Sequence, residues 1–403
     1  ATAALPIYGK LSDLFGRVRM LNIGIGLFLA GSVACALAQD LPTLLAARVL
    51  QGLGGGGLIA LAFTVIADCI PPREVGKYQG YISAVYAVSS IAGPLLGGYF
   101  TEQLSWRWIF WINLPLGALA LWLVNRNLGH LNVRRHSRFD WKGAGLLITV
   151  TTLSLLLLSP ETALSAIWLA AGLALALLLL ILVERRAQDP ILPAHLARLP
   201  GYLVSVLLAL ASQLLMFAVL VYLPLQMQWQ KGMGASESGL YMVIFMVCIT
   251  AGAFVGGKLI GRTGYYKRFV VVGFALAALA LWQIHFDLFA NLGLGFAGLG
   301  LGLVLPALSV VVQNALPRED RGIGMSLFNF GRELGGAVGV AICAVLFHGA
   351  LPAGTSHNLA SLSPAELAPG FSATYVGMAL IASAALLITL LALKRHELAS
   401  IPA

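Results

Sequence analysis

Gly9-Lys-Leu-Ser-Asp-Leu-Phe-Gly-Arg-Val-Arg-Met20 is a short, charged, glycine-punctuated stretch in a chain that is otherwise mostly apolar. Immediately after it the sequence runs from Met20 to Gln39 without a charge. That is about the 20 residues a helix needs to cross a hydrocarbon core of about 30 Å. Runs of this kind recur along the whole chain. Its 403 residues are 59% hydrophobic and 10% charged, with a mean hydropathy of +0.89. A soluble domain carries roughly 25% charged residues and needs them to cover its surface. A β-barrel would alternate apolar and polar residues in segments of about ten, and Leu169 to Val183 does not alternate. The composition therefore predicts an all-α polytopic membrane protein.

Apolar segments fall near 20–38, 43–67, 78–100, 108–124, 143–158, 166–183, 202–224, 238–257, 269–286, 289–313, 322–347 and 373–393, which predicts twelve full spans, with residues 1–8 as the tail of another. If the charged stretch lies in the cytoplasm and the spans alternate, 21 of the 25 Lys and Arg residues fall inside. Arg107 and Lys231 lie outside, while Arg48 and Arg332 fall within spans. Such asymmetry is the positive-inside pattern. It explains the net charge of +9 through topology and anionic lipid, without a nucleic-acid partner. Cys35, Cys69, Cys248 and Cys343 are widely spaced and form no CxxC pair, so they read as small buried hydrophobes rather than as a metal site. Gly54 to Gly57 lies mid-span with no Lys-Ser/Thr after it, so it is not a phosphate loop.

The stretch has an echo. Gly9-Lys10-Leu11 and Gly16 recur 248 residues later as Gly257-Lys258-Leu259 and Gly264, with Lys267 in the place of Arg19. Pro72-Arg73-Glu74 recurs as Pro317-Arg318-Glu319. Two echoes at nearly constant spacing predict two pseudo-repeat helical bundles. Eight spans separate the two glycine stretches where halves of six would leave six. The surplus is assigned to the bland pair at about 143–183, flanked by basic loops. The expected organisation is an N-terminal bundle at 1–125, an inserted pair with its loops at 126–200, a C-terminal bundle at 201–395 and a tail at 396–403.

Gly9, Leu11, Asp13, Gly16 and Arg17 match the pattern G-x-L-x-D-x-x-G-R, and on these residues the chain resembles the major facilitator superfamily. In that family the signature joins the second and third helices. Here Gly9, Asp13, Gly16, Arg17 and Arg19 would form a conformational latch. Arg48-x-x-Gln51-Gly52 is similar to the family's fourth-helix motif, whose arginine is implicated in proton coupling. A mid-span charge is costly and ordinarily faces protein or water; helical spacing puts Gln51, Gly52 and Gly55 on the side of Arg48. Gly93-Pro94-Leu-Leu-Gly97-Gly98 resembles the antiporter motif, with Gly93 and Gly97 as a small-xxx-small face and Pro94 as a bend. Trp106 to Pro115 looks like a string common in fourteen-helix drug:proton antiporters and is treated as a marker, not a site. Arg332 and Glu333 repeat the theme of a buried charge beside glycines. Being about 100° apart, they are not expected to share a face centre, and Glu333 is expected either to carry a proton or to pair with another helix.

The resemblance implies a secondary transporter of the fourteen-helix drug:H+ antiporter type in the cell membrane, a bacterial inner membrane in particular. It is not an enzyme and needs no cofactor beyond a proton gradient. Its partners would be small amphipathic substrates, protons and the lipid bilayer; whether a periplasmic adaptor joins it is left open. Export of one specific metabolite, or nutrient import on the same fold, is the alternative. Because the signature belongs after a second helix, the chain is expected to lack the first helix and most of the second, and not to transport alone.

Overall fold

The computed structural model describes residues 4–69, isolated positions between 78 and 100, and 103–128, 140–157, 166–187, 192–199, 201–286, 290–317, 320–351 and 362–393. Every regular element among them is helical. In order these are α1 (Ala4–Phe15), α2 (Arg17–Leu37), α3 (Leu41–Cys69), α4 (Trp108–Trp111), α5 (Asn113–Asn127), α6 (Trp141–Leu157) and α7 (Ala166–Arg186). They continue as α8 (Ala194–Ala197), α9 (Tyr202–Trp229), α10 (Ala235–Thr263), α11 (Tyr266–His285), α12 (Ala290–Ala315), α13 (Arg321–Gly349) and α14 (Pro364–Ala392). Among the described residues nine segments are long and apolar enough to cross a membrane, one of them the α4–α5 unit Trp108–Asn127. The 29-residue α3, the 17-residue α6 and the helical positions between 78 and 100 occupy the other three predicted spans.

Two expectations need correction. The charged stretch is not a loop, since α1 runs to Phe15, α2 starts at Arg17, and Gly16 alone separates them. Polar side chains mark a helix end that leaves the apolar layer, and they need not break the helix. Gly16 supplies the turn with φ 94°, open to glycine at little cost. The last helix begins at Pro364, nine residues before the apolar run. Ser363 and Glu366 form a capping box there, with the Ser363 amide donating to Glu366 Oε2 at 2.8 Å.

The echo in sequence is also an echo in backbone. Gly264 (φ 72°) separates α10 from α11 as Gly16 separates α1 from α2. Each donates its N–H to the carbonyl four residues back, Gly16 to Ser12 at 3.0 Å and Gly264 to Ile260 at 2.8 Å. The next crossing repeats as well. A Cβ on Gly54 would lie 2.7 Å from the Gly24 carbonyl oxygen where α2 meets α3. One on Gly300 would lie 2.5 Å from the Gly273 carbonyl oxygen where α11 meets α12. Both contacts require bare backbone at the crossing.

The largest buried cluster lies in the second half, running through α9 to α14 and including Phe245, Phe274, Phe328, Phe371 and Tyr375. A smaller one joins Tyr8 of α1, Met20 and Leu21 of α2 and Leu61 of α3. The pair α6–α7 packs on itself through Ala144, Leu147 and Leu180. Asp140 caps α6 by accepting from the Gly143 N–H at 2.9 Å, and Glu184 accepts from the Leu192 N–H at 3.0 Å. Helix α13 packs on α9 and α14 on one side and on α1 and α3 on the other, so it joins the two halves.

Candidate functional site

α3 carries Arg48, Gln51 and Gly52, and its packing differs from the sequence expectation. Gln51 is buried, Gly52 half-buried and Arg48 exposed. The packed side of α3 therefore runs through Gln51, Gly54 and Gly55 against α2 and through Gly57 against Tyr8 of α1, and it leaves Arg48 outside. The reason is the crossing at Gly24 and Gly54, which fixes which side of α3 turns inward. Arg48 is nonetheless held. Its Nη1 donates to Gln51 Oε1 at 2.6 Å, and its guanidinium carbon lies 6.0 Å from the Phe110 ring centroid. Gln51 Nε2 then donates to Ser32 Oγ at 2.8 Å, and Asn113 Nδ2 to the same oxygen at 3.3 Å.

The second charged centre is on α13. Arg332 Nη2 donates to Glu333 Oε1 at 3.1 Å, with side chains 11% and 21% exposed. The neighbours thus pair directly, against the expectation that Glu333 would seek another helix. The arginine stem is long enough to fold round the 100° between them. One turn before Glu333 lies Asn329, wholly buried, whose Nδ2 donates to the Met325 carbonyl at 2.9 Å. Its Oδ1 is buried with no hydrogen-bond partner.

Of the latch residues, Gly9 and Gly16 are buried, Arg17 is half-buried and Arg19 exposed. Arg17 Nη1 donates to the Ser12 hydroxyl, which donates to the Gly9 carbonyl at 2.7 Å, so this hydrogen bond holds the α1–α2 turn itself. Asp13 lies within α1, and its side chain is outside the described residues, as are Pro94 and Gly98. Gly93 and Gly97 are helical, but a Cβ on Gly93 would meet nothing within 4 Å and one on Gly97 only Ile109 at 3.9 Å. Among the described residues no close backbone approach is seen at these two positions.

Sequence reading missed Ser32, Phe110 and Asn113. The string read as a marker contributes Arg107, Phe110 and Asn113, spaced by three, and each engages α2 or α3. Arg107 Nη2 donates to the Ala38 carbonyl at 2.9 Å at the end of α2. That spacing on a helical string was the available signal. Among the described residues no group of three or more His, Cys, Asp or Glu side chains is placed to hold a metal.

The arrangement therefore consists of charges held by amides and by one carboxylate inside apolar helices. The sequence profile of the Major Facilitator Superfamily matches residues 1–340. The chain belongs to that superfamily. It is a multi-span membrane protein of that group. It is 34% identical over 359 residues to an uncharacterized MFS-type transporter of Mycobacterium tuberculosis, covering 86% of this chain and 52% of the relative. The chain thus spans about half the length of that relative. It is 33% identical over 361 residues to the multidrug transporter protein MdtP of Bacillus subtilis, covering 86% of this chain and 66% of the relative. The solved human organic anion transporter MFSD10 resembles it in fold with a TM-score of 0.70 at 16% identity, over 96% of this chain and 80% of that one.

Proposed function

We propose that this transporter exports amphipathic, toxic compounds from the cell in exchange for protons, by alternating access between two bundles at 1–125 and 201–395. Residues 126–200 are an inserted pair and 396–403 a cytoplasmic tail, and the membrane is a bacterial inner membrane. The likeness to a relative named for multidrug transport supports the substrate class. The observation that carries the coupling is the Arg332–Glu333 pair beside Asn329 on the helix that joins the halves. Ionised, Glu333 pairs with Arg332. Protonated, it becomes a hydrogen-bond donor, and Asn329 Oδ1, one turn away, is a buried acceptor without a donor. Both charge states thus have a local partner. Arg48, hydrogen-bonded to a neutral amide rather than a carboxylate, keeps its positive charge uncompensated by Gln51 and biases protonation nearby.

The test is proton-gradient-driven flux of ethidium, a lipophilic cation, in proteoliposomes of the whole cellular protein. Glu333→Gln is expected to lower gradient-driven flux about tenfold or more, equivalent to about 1.4 kcal/mol, while ethidium still binds. Wild-type gradient-driven flux in that variant overturns the role of Glu333. Ethidium moving inward down an outward-acid gradient with the proton points to import instead.

A further inference from the structure

We propose that Ser32 and Asn113 are positioning residues for Arg48, acting by fixing which way the Gln51 amide faces. The proposal rests on the reading that Arg48 tunes proton coupling. Arginine has donors only, so Arg48 must meet the carboxamide oxygen of Gln51. That leaves Nε2, on a side chain 4% exposed, in need of an acceptor. Ser32 Oγ provides it at 2.8 Å, and Ser32 is wholly buried between α3 and α5. A serine oxygen has two lone pairs, and the second receives Asn113 Nδ2 at 3.3 Å. Ser32 is therefore the acceptor on which both amides converge.

If this oxygen is removed, Gln51 Nε2 is buried without an acceptor, which costs about 1–3 kcal/mol. Withdrawal of Gln51 is blocked, because a Cβ on Gly31 would already lie 2.5 Å from the Gln51 Cα. The remaining relief is an amide flip, which turns NH2 toward the guanidinium, donor against donor, and releases Arg48. Asn113 restrains the same oxygen from α5, and Arg107 ties the string leading to Asn113 onto the end of α2 through the Ala38 carbonyl. Among the described residues around Arg48, α2 brings Cys35 within electrostatic reach and α4 presents the uncharged Phe110.

The experiment measures ethidium flux against pH in proteoliposomes of the whole cellular protein, for variants matched in expression and melting temperature. Arg48→Ala and Gln51→Leu set the reference. Ser32→Ala and Asn113→Ala are each expected to move the pH midpoint in the direction of Gln51→Leu, by about half a unit or more, where one unit corresponds to 1.36 kcal/mol. Ser32→Thr, which keeps the acceptor, retains the wild-type profile. Adding Ser32→Ala to Gln51→Leu moves the midpoint no further, because the amide it would steer is gone. Because Ser32 and Asn113 stand on different helices, loss of folding in one variant leaves the other as the test. Wild-type midpoints in Ser32→Ala and Asn113→Ala beside a shifted Arg48→Ala overturn the positioning and leave the coupling reading intact. A wild-type midpoint in Arg48→Ala overturns the coupling role of Arg48 and the positioning with it.

Discussion

Asp40 lies in the connection between α2 and α3 and begins α3. Its Oδ1 accepts from the Thr43 backbone N–H at 2.8 Å and from the Thr43 hydroxyl at 2.7 Å. The backbone bond first, and the hydroxyl after it, hold the Asp40 carboxyl below its ordinary value of 3.8. An Asp whose folded value is depressed stabilises the fold fully above the unfolded value, and that share is lost as pH falls through the folded one. Asp40→Ala is therefore expected to lower the melting temperature in detergent at neutral pH, with a gap to wild type that closes below pH 3.8. Asp40→Asn, which keeps an uncharged acceptor, should show a gap that does not vary with pH. A gap in Asp40→Ala that persists undiminished into strong acid would sink this account. This cap was legible in sequence, since Asp40, Pro42 and Thr43 are residues a helix start favours. Ser32 was not. A serine in an apolar run carries no mark of its partner, and its role exists only once α3 and α5 are set beside α2.

At the scale of elements, the two halves solve one packing problem in opposite ways. Tyr8 of α1 and Gly256 of α10 each stand just before the repeated Gly-Lys-Leu. Tyr8 is large and faces Gly57 of α3, where a Cβ would lie within 2.6 Å of the ring. Gly256 is small and faces Leu303 of α12, whose Cδ2 would be 3.1 Å from an added Cβ. The contact keeps its volume while the large residue changes sides. Gly57→Leu alone should destabilise by about 1–3 kcal/mol through overpacking, and Tyr8→Ala alone by about 3 kcal/mol through a cavity. Together they should recover at least about 1 kcal/mol relative to the sum, read from melts as a double-mutant cycle. Strict additivity would show that the two positions do not share this space. The sequence could place the repeat, because Gly16 and Gly264 must both turn the chain at positive φ. It could not place the exchange, since a large-for-small swap erases the identity an alignment relies on. It also misread the content of the turn, because Lys10 and Asp13 sit on helical backbone just beyond the apolar layer.

For the whole molecule, α13 is a place where, among the described residues, the halves meet. Phe328 and Met325 belong to the second-half core. Phe330 packs against the cluster around Tyr8 and also against the cluster of the α6–α7 pair, where Ile7 of α1 joins it. One aromatic ring thus touches the first bundle and the pair together. Under the proposed alternating access such a seam must either move or serve as the pivot, because packed interfaces switch between discrete arrangements rather than stretch. On the proposed coupling, the Arg332–Glu333 pair two and three residues further on would make it the moving part, since a change of charge there would alter what α13 presents to α1 and α3. The test joins Ile7→Cys to Phe330→Cys with a short bis-maleimide, with Cys35, Cys69, Cys248 and Cys343 replaced by alanine. Ethidium flux should fall in proportion to the cross-linked fraction, and a long flexible linker should restore most of it. Each single-cysteine protein treated alike should keep its rate. Full flux in completely cross-linked protein would make this seam the pivot and place the opening elsewhere in the bundle.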